Sequence, residues 1–475
     1  MAIVLLLSGL ISVTHAPGWS DVMITTDQWS NDSEQWERIE ITGTDTLHQI
    51  WQDFNGQSRV GYKVYRSDGT VIFPETMVSN DVHSHYPSNC IVNQDSIALF
   101  WREGAAAWFT LRDSSGYELI PTGLLFPESY VSRPRVEAST DSLGRLHCVF
   151  EISEGVSYAV IDPGTGEVFK DTIPGSYPEI SNVCVDGDRV HIYYTAGYEL
   201  PAYIQYDLSG NIVVPPVELV QDLDYLVPQS SVTVDDDGNF WCLLSYTPQG
   251  APYPELHIYK VNGDTGVVVF EKQIETPNQV GWYMNIMPGP GGDTLYLMWL
   301  AYFQSDHYVY FSILDKEGNF IEEPYPAYDY SDEEVQNLTC LDATINSDGD
   351  VYAIWSQGDV QVGGYWIVLG WLDHNWVGVG ENETIPVTPD YLSMTCSDNP
   401  FEESVIINVE GSPLPGQLMI YDTSGRLVRR LPSSGGRSFL WDGKDSQGAE
   451  AAAGCYTVYA ITDAQRRGLR VVKLD

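Results

Sequence analysis

Short apolar and aromatic runs return along most of this chain, alternating in the manner of strands and separated by turns that carry Asp or Gly. A larger unit repeats above them: an extended apolar run, a turn, then a second run ending in an aromatic. The second runs begin near Leu47, Ile97, Leu146, Val190, Phe240, Leu295 and Val351, at spacings of 50, 49, 44, 50, 55 and 56 residues. A repeat of that length with strand periodicity inside it predicts the blade of a β-propeller, and seven units predict seven four-stranded blades. The third unit shows the pattern plainly. Arg135–Ala138 opens it, Asp141-Ser142-Leu143-Gly144 turns the chain, and Leu146–Phe150 is the second strand. Tyr158–Ile161 and Glu167–Phe169 complete it. A single blade leaves both faces unburied, so blades must stack around an axis. Val22-Met23-Ile24-Thr25-Thr26 predicts a strand that closes the ring against the last blade.

After Pro389 the composition changes. Strands at Val405–Val409, Gly416–Tyr421, Phe439–Trp441, Tyr456–Val458 and Arg470–Leu474, joined by Asp/Ser-Gly turns, predict a small immunoglobulin-like β-sandwich. At the other end, Met1–Ala16 has a signal-peptide core from Ile3 to Val13 and small residues before a cut at Thr14-His15-Ala16. The expected organisation is all-β: 1–16 signal peptide, 17–389 propeller, 390–475 sandwich. No segment reaches the length of a transmembrane helix, which points to an extracellular or outer-surface protein.

Charge sharpens this picture. The net charge is −43; residues 1–389 hold 55 acidic and 14 basic side chains, whereas 390–475 hold 11 and 9. A surface so acidic repels nucleic acid and favours solubility and cations. Calcium is compatible with Asp235-Asp236-Asp237-Gly238-Asn239, but a strand-to-strand turn wants the same residues, so no metal site or cofactor is assigned. Seven cysteines lack CxxC spacing. Cys90, Cys148, Cys184, Cys242 and Cys340 read as small buried hydrophobes, while pairing of Cys396 with Cys455 is left open by the sequence.

The C-terminal residues carry a specific resemblance. Asn399-Pro400-Phe401, Tyr421-Asp422 with Gly425, Trp441-Asp442-Gly443, Gly454 with Tyr456, and a terminal strand holding Lys473 occur in order. This order resembles the sorting domain of type IX secretion cargo and the immunoglobulin-like domain of the flagellar hook-capping protein. The first resemblance implies export to the surface through outer-membrane secretion machinery as partner. The propeller units look like those of sialidase-like and WD-repeat-like propellers, in architecture only, since the sialidase Asp-box spacing is not reproduced.

Chemistry is harder to read. Ligands of propellers usually meet loops at one face of the ring, and the loops after the second strands place Asp53, Arg102, Glu103, Glu151, Tyr246, Tyr302, His307 and Gln357 as ligand-face candidates. Converging carboxylates could perform acid–base work on sugars. HExxH, GxSxG and P-loop motifs do not occur. The expectation is therefore a non-catalytic binding or adhesion module. A secreted sialidase- or glycosidase-like enzyme and a structural envelope or appendage component are the alternatives.

Overall fold

The computed structural model describes residues 14–372 and 393–474, apart from 25–36, 127–135 and a set of shorter loops. Most of the expected signal peptide and the expected boundary at 389/390 lie outside the described residues. The chain divides into two compact units, 1–379 and 380–475.

In the first unit the described strands form seven antiparallel meanders: blade 1 (38–77), blade 2 (84–126), blade 3 (136–172), blade 4 (176–218), blade 5 (223–274), blade 6 (279–329) and blade 7 (335–372). The first strand of each blade neighbours the first strands of the blades on either side, and blade 7 returns to blade 1. First strands thus surround the axis. The residues expected to open the second strands, Leu47, Ile97, Leu146, Val190, Phe240, Leu295 and Val351, lie on those strands, each no more than 1% exposed. Four residues further on come Trp51, Trp101, Phe150, Tyr194, Leu244, Trp299 and Trp355, all buried.

No single core fills the ring. Each pair of neighbouring blades encloses its own apolar cluster: Tyr62 with Trp101 between blades 1 and 2, Phe100 with Phe150 between 2 and 3, and Tyr158 with Tyr194 between 3 and 4. Tyr203 meets Phe240 between 4 and 5, Trp241 meets Trp299 between 5 and 6, and Phe311 meets Trp355 between 6 and 7. Trp51 meets Ile354 between 7 and 1. Alternation makes this possible, because successive residues of a strand face opposite neighbours.

The turns follow from one chemical device. Asp113, Asp141, Asp207, Asp235, Asp315 and Asn346 each accept backbone N–H bonds from residues two and four ahead. The residue at +3 is glycine with positive φ, as at Gly144 and Gly238. The fourth strands of blades 1, 2, 4 and 6 carry proline (Pro74, Pro121, Pro215 and Pro216, Pro324 and Pro326). Pairing of third with fourth strand is broken by bulges in blades 1, 2, 4, 5 and 6. Both features discourage another chain from adding to a sheet edge.

The closing strand expected near Val22 is present. Met23 and Ile24 pair with Leu369 and Val368, giving blade 7 its outermost strand. Trp19, 1% exposed, packs edge-on to Phe311 and Tyr328 and donates to Tyr325 Oη at 3.2 Å. Just before it, Thr14 and His15 add a fifth strand to blade 6, opposite Asp329 and Tyr328.

The second unit is a two-sheet sandwich. Ser393–Cys396, Val405–Glu410 and Ser438–Trp441 form one sheet; Leu427–Pro432, Gln417–Asp422, Gly454–Ile461 and Arg466–Lys473 form the other. Trp441 is fully buried at its centre, between Phe401 (5.2 Å) and Tyr456 (4.9 Å), and its indole N–H donates to Lys444 O at 2.9 Å. Lys473, 8% exposed, approaches Glu450 at 3.9 Å, and the Leu474 N–H donates to Phe401 O. Gly443 has φ +66°. Tyr421 and Asp422 lie on the strand Gln417–Asp422, and Gly454 opens the strand that carries Tyr456. Asn399, Pro400 and Gly425 fall outside the described residues. Cys396 packs against this core.

Candidate functional site

The innermost strands are polar where the second strands are apolar, and their polar groups reach across every seam. Asn89 Nδ2 donates to His48 O (3.4 Å), Thr140 Oγ1 to Ile91 O (2.6 Å), and Val185 N–H to Ser139 Oγ (3.1 Å). Asn182 Nδ2 donates to Ser230 O (2.8 Å) and Ile286 N–H to Ser231 Oγ (3.0 Å). Asp342 finishes the circle: Oδ1 accepts from Asn285 Nδ2 of blade 6 and Oδ2 from the Ile39 N–H of blade 1, both at 2.8 Å. One carboxylate therefore ties three blades.

Around Asp342 gathers a cluster with four acids and one base. Arg38 of blade 1 reaches Glu137 of blade 3 (3.4 Å), and Thr344 of blade 7 donates to Glu40 of blade 1 (3.2 Å). Glu37, fully buried, accepts from Ser356 of blade 7. Burial dominates the electrostatics. It pushes the Glu37 carboxyl well above the usual carboxylate range, against the Ser356 bond. It pushes Glu40 up to about 8, helped by the carboxylate of Asp342. Glu137 and Asp342 are also raised by burial, with Arg38 opposing. Burial works to strip the proton from Arg38, but Asp342 and Glu137 more than offset it. Burial thus shifts the carboxyls of this cluster toward their protonated forms.

At the end of the axis nearest the second-strand C-termini, the first strands of blades 2, 4, 5, 6 and 7 carry register breaks. Two residues in these breaks, Tyr86 (φ +53°) and Cys340 (φ +59°), hold left-handed backbone without being glycine. Register breaks of this kind bend the strand locally. Cys340 is buried beside Tyr283 and Glu37, its thiol pushed far up by burial. Among the described residues no three His, Cys, Asp or Glu side chains are placed to hold a metal ion. Asp235, the first residue of the calcium-compatible string, is committed to its turn, to Trp241 Nε1 (2.9 Å) and to Lys260 (3.0 Å). Cys90, Cys148 and Cys242 are buried and Cys184 partly so, with thiols raised by burial.

The candidates named from sequence are spread over six blades. Glu103 accepts from Trp101 Nε1 (2.9 Å), and Arg102 Nε donates to Gly104 O. Glu151 lies near the end of its strand opposite Val156. Tyr246 is buried, its hydroxyl 2.9 Å from Tyr259 Oη and 3.4 Å from His257 Nδ1. Tyr302 donates to Leu338 O (3.0 Å) and meets His307 edge-on at 5.1 Å; this is the pair that the described contacts bring together. Gln357 is 1% exposed. Asp53 pairs with Arg59 along the backbone, and its side chain is outside the described residues. The arginines serve separate blades: Arg112 binds Gly116 O and Glu118, Arg145 binds Asp141, and Arg189 binds Gly263 O and Asp264.

Sequence reasoning missed the axial cluster and a second recurring device. His48, His147 and His191 occupy the same second-strand position and bond through Nδ1 to Tyr62 (2.7 Å), Tyr158 (2.7 Å) and Tyr203 (2.9 Å) on the third strand. The signal was present: in Leu47-His48, Leu146-His147 and Val190-His191 the histidine follows the repeat's first apolar residue each time.

No curated protein matches the chain. Among solved structures it is similar to PorZ, a surface component of the type IX secretion system of Porphyromonas gingivalis, at 12% identity and a TM-score of 0.41, over 92% of this chain and 59% of that one. It therefore spans about three-fifths of the length of PorZ. The β-propeller domain of the Trilobed protease from Pyrococcus furiosus is similar at 10% identity and a TM-score of 0.43, over 71% of this chain and 95% of that one. A protein of unknown function from Dyadobacter fermentans is similar at 13% identity and a TM-score of 0.45, over 75% of this chain and 100% of that one. Residues 400–465, within the sandwich built around Trp441, match the FlgD Ig-like domain family.

Proposed function

We propose that the chain is an exported or cell-surface propeller that acts as a non-catalytic binding or adhesion module, delivered by its C-terminal domain through outer-membrane secretion machinery. The observation that carries the binding half is the use made of the axial acids. Asp342, Glu40, Glu37 and Arg38 bond across seams, and Glu103 is turned onto its own Trp101. Catalytic carboxylates need a pair held toward a shared reactant, and these are held toward each other's blades. The ordered motifs from Phe401 to Lys473 support the delivery half, together with the acidic character of residues 1–389.

Two measurements test the reading. On a glycan array followed by product analysis, we expect retention of a glycan or protein ligand without bond cleavage; reducing-end release that is lost in Glu103→Gln or Glu151→Gln would establish the enzyme instead. For delivery, removing residues 390–475 should leave the propeller inside an expressing cell that exports the full chain. Equal export of both would sink the sorting role.

A further inference from the structure

The N-terminal segment that closes the ring is held as a bound peptide would be. Its hydrogen-bond partners in blades 6 and 7 lie more than three hundred positions along the chain. Two stretches add to sheet edges, Thr14–His15 to blade 6 and Met23–Ile24 to blade 7, and the Ala16 N–H extends the first to Ala327 O at 2.9 Å. Strand addition of this kind is a general mode of peptide recognition. Between the two stretches Trp19 fills an aromatic pocket of Phe311, Tyr325 and Tyr328, which meets both its ring and its indole N–H. Ser20 is held at three points. Its N–H donates to Trp371 O (2.9 Å), its Oγ accepts from the Trp371 N–H (3.1 Å), and its carbonyl accepts from Tyr328 Oη (3.0 Å). Gly370 makes room for the last contact, because a Cβ there would stand 2.1 Å from Tyr328 Oη.

Backbone pairing on either side of one buried tryptophan is the anatomy of a peptide site with a single dominant anchor. Residues 25–37 join the segment to blade 1 and can span up to about 45 Å, so covalent continuity does not oblige it to seat in its own ring. We propose that the rim of blades 6 and 7 is a peptide-binding site whose ligand is this N-terminal segment, and that two copies of the chain exchange it, each segment seating on the other's blades. Exchange of an identical element keeps every contact of the site, so a dimer forms at little cost once copies are concentrated. In dilute solution each chain's own segment wins, because its tether holds it at an effective concentration of about millimolar.

Cysteine trapping on the full chain, produced without export so that residues 1–16 stay in place, tests the exchange. Thr14 and Asp329 are paired across the two strands. A Thr14→Cys/Asp329→Cys double variant should cross-link within one chain. When the two single variants are mixed at rising concentration and oxidised with a small disulfide reagent, a linked dimer should appear beyond that of either variant alone. Adding Trp19→Ala to the Thr14→Cys copy should abolish it. Cross-linking confined to the double variant, or a mixed dimer that survives Trp19→Ala, overturns the exchange. A labelled peptide of residues 12–26 gives a second readout on the full-length Trp19→Ala protein. It should bind about thirtyfold more tightly than the same peptide carrying Trp19→Ala, and equal binding of the two overturns the site.

Discussion

The first and second strands of each blade solve the same problem with opposite chemistry. Both must bind a blade to its neighbours. Second strands do it with buried apolar side chains such as Trp299 and Trp355, which are interchangeable in kind from blade to blade. First strands do it with directional bonds from Asn, Ser, Thr and Asp to neighbouring backbone, different at each seam. Near the axis strands crowd together and leave little room for large side chains, so short polar ones that can reach a neighbouring N–H or C=O fit there. Farther out, the widening gap is filled by volume. Burial thus gives the blades their cohesion, and hydrogen bonding sets how they meet.

The contrast can be broken at its strong end first. Trp299→Ala empties a fully buried position where the indole stacks on Tyr310 at 5.5 Å. It should cost about 3–5 kcal/mol, read as the loss of unfolding free energy in denaturant. A cost under about 1 kcal/mol would mean that second strands do not carry cohesion. Asp342→Ala comes next. It strands the Ile39 N–H and Asn285, and the expected cost is about 1–3 kcal/mol, with Asp342→Asn nearer to wild type because it keeps an acceptor. Equal stability of Asp342→Ala and wild type would remove the axial bonds from the account.

The last effect is a slope. The Glu40 carboxyl is raised from 4.5 to about 8 in the fold. A raised acid contributes its stability below the unfolded value and loses it as pH climbs through the folded one. Stability should therefore decline between roughly pH 4.5 and 8, and Glu40→Gln should flatten that decline. Parallel Tm–pH curves for the two proteins would show that the axial acids do not hold their protons.

The same division decides what could be read from sequence. Leu47, Leu146 and Val351 announce their strands because burial leaves a periodic apolar trace, and the turns announce themselves through Asp and Gly at fixed offsets. The closing strand was legible as well, since Met23-Ile24 continues the apolar pattern. Glu37, Glu40, Glu137 and Asp342 leave no such trace. Acidic residues are common throughout residues 1–389, and only ring geometry separates the four that meet at the axis from those in solvent. The register breaks around Tyr86 and Cys340 hide the first strands further, because an extra residue erases the alternation. Glu103 and Tyr246, expected in loops, lie instead on the second strands of blades 2 and 5 and are turned inward onto Trp101 and Tyr259.

The strand Met23–Ile24 also sets a clock. Its partners Val368 and Leu369 are made more than three hundred residues later, and so is Tyr325, the partner of the Trp19 indole. Blades 1 to 5 can form in the order of their synthesis from neighbouring stretches of chain, whereas blade 6, with Thr14–His15 as its fifth strand, and blade 7 are completed by a segment made first. The circle of blades therefore shuts only once the far end of the seventh blade, residues 368–369, has been made.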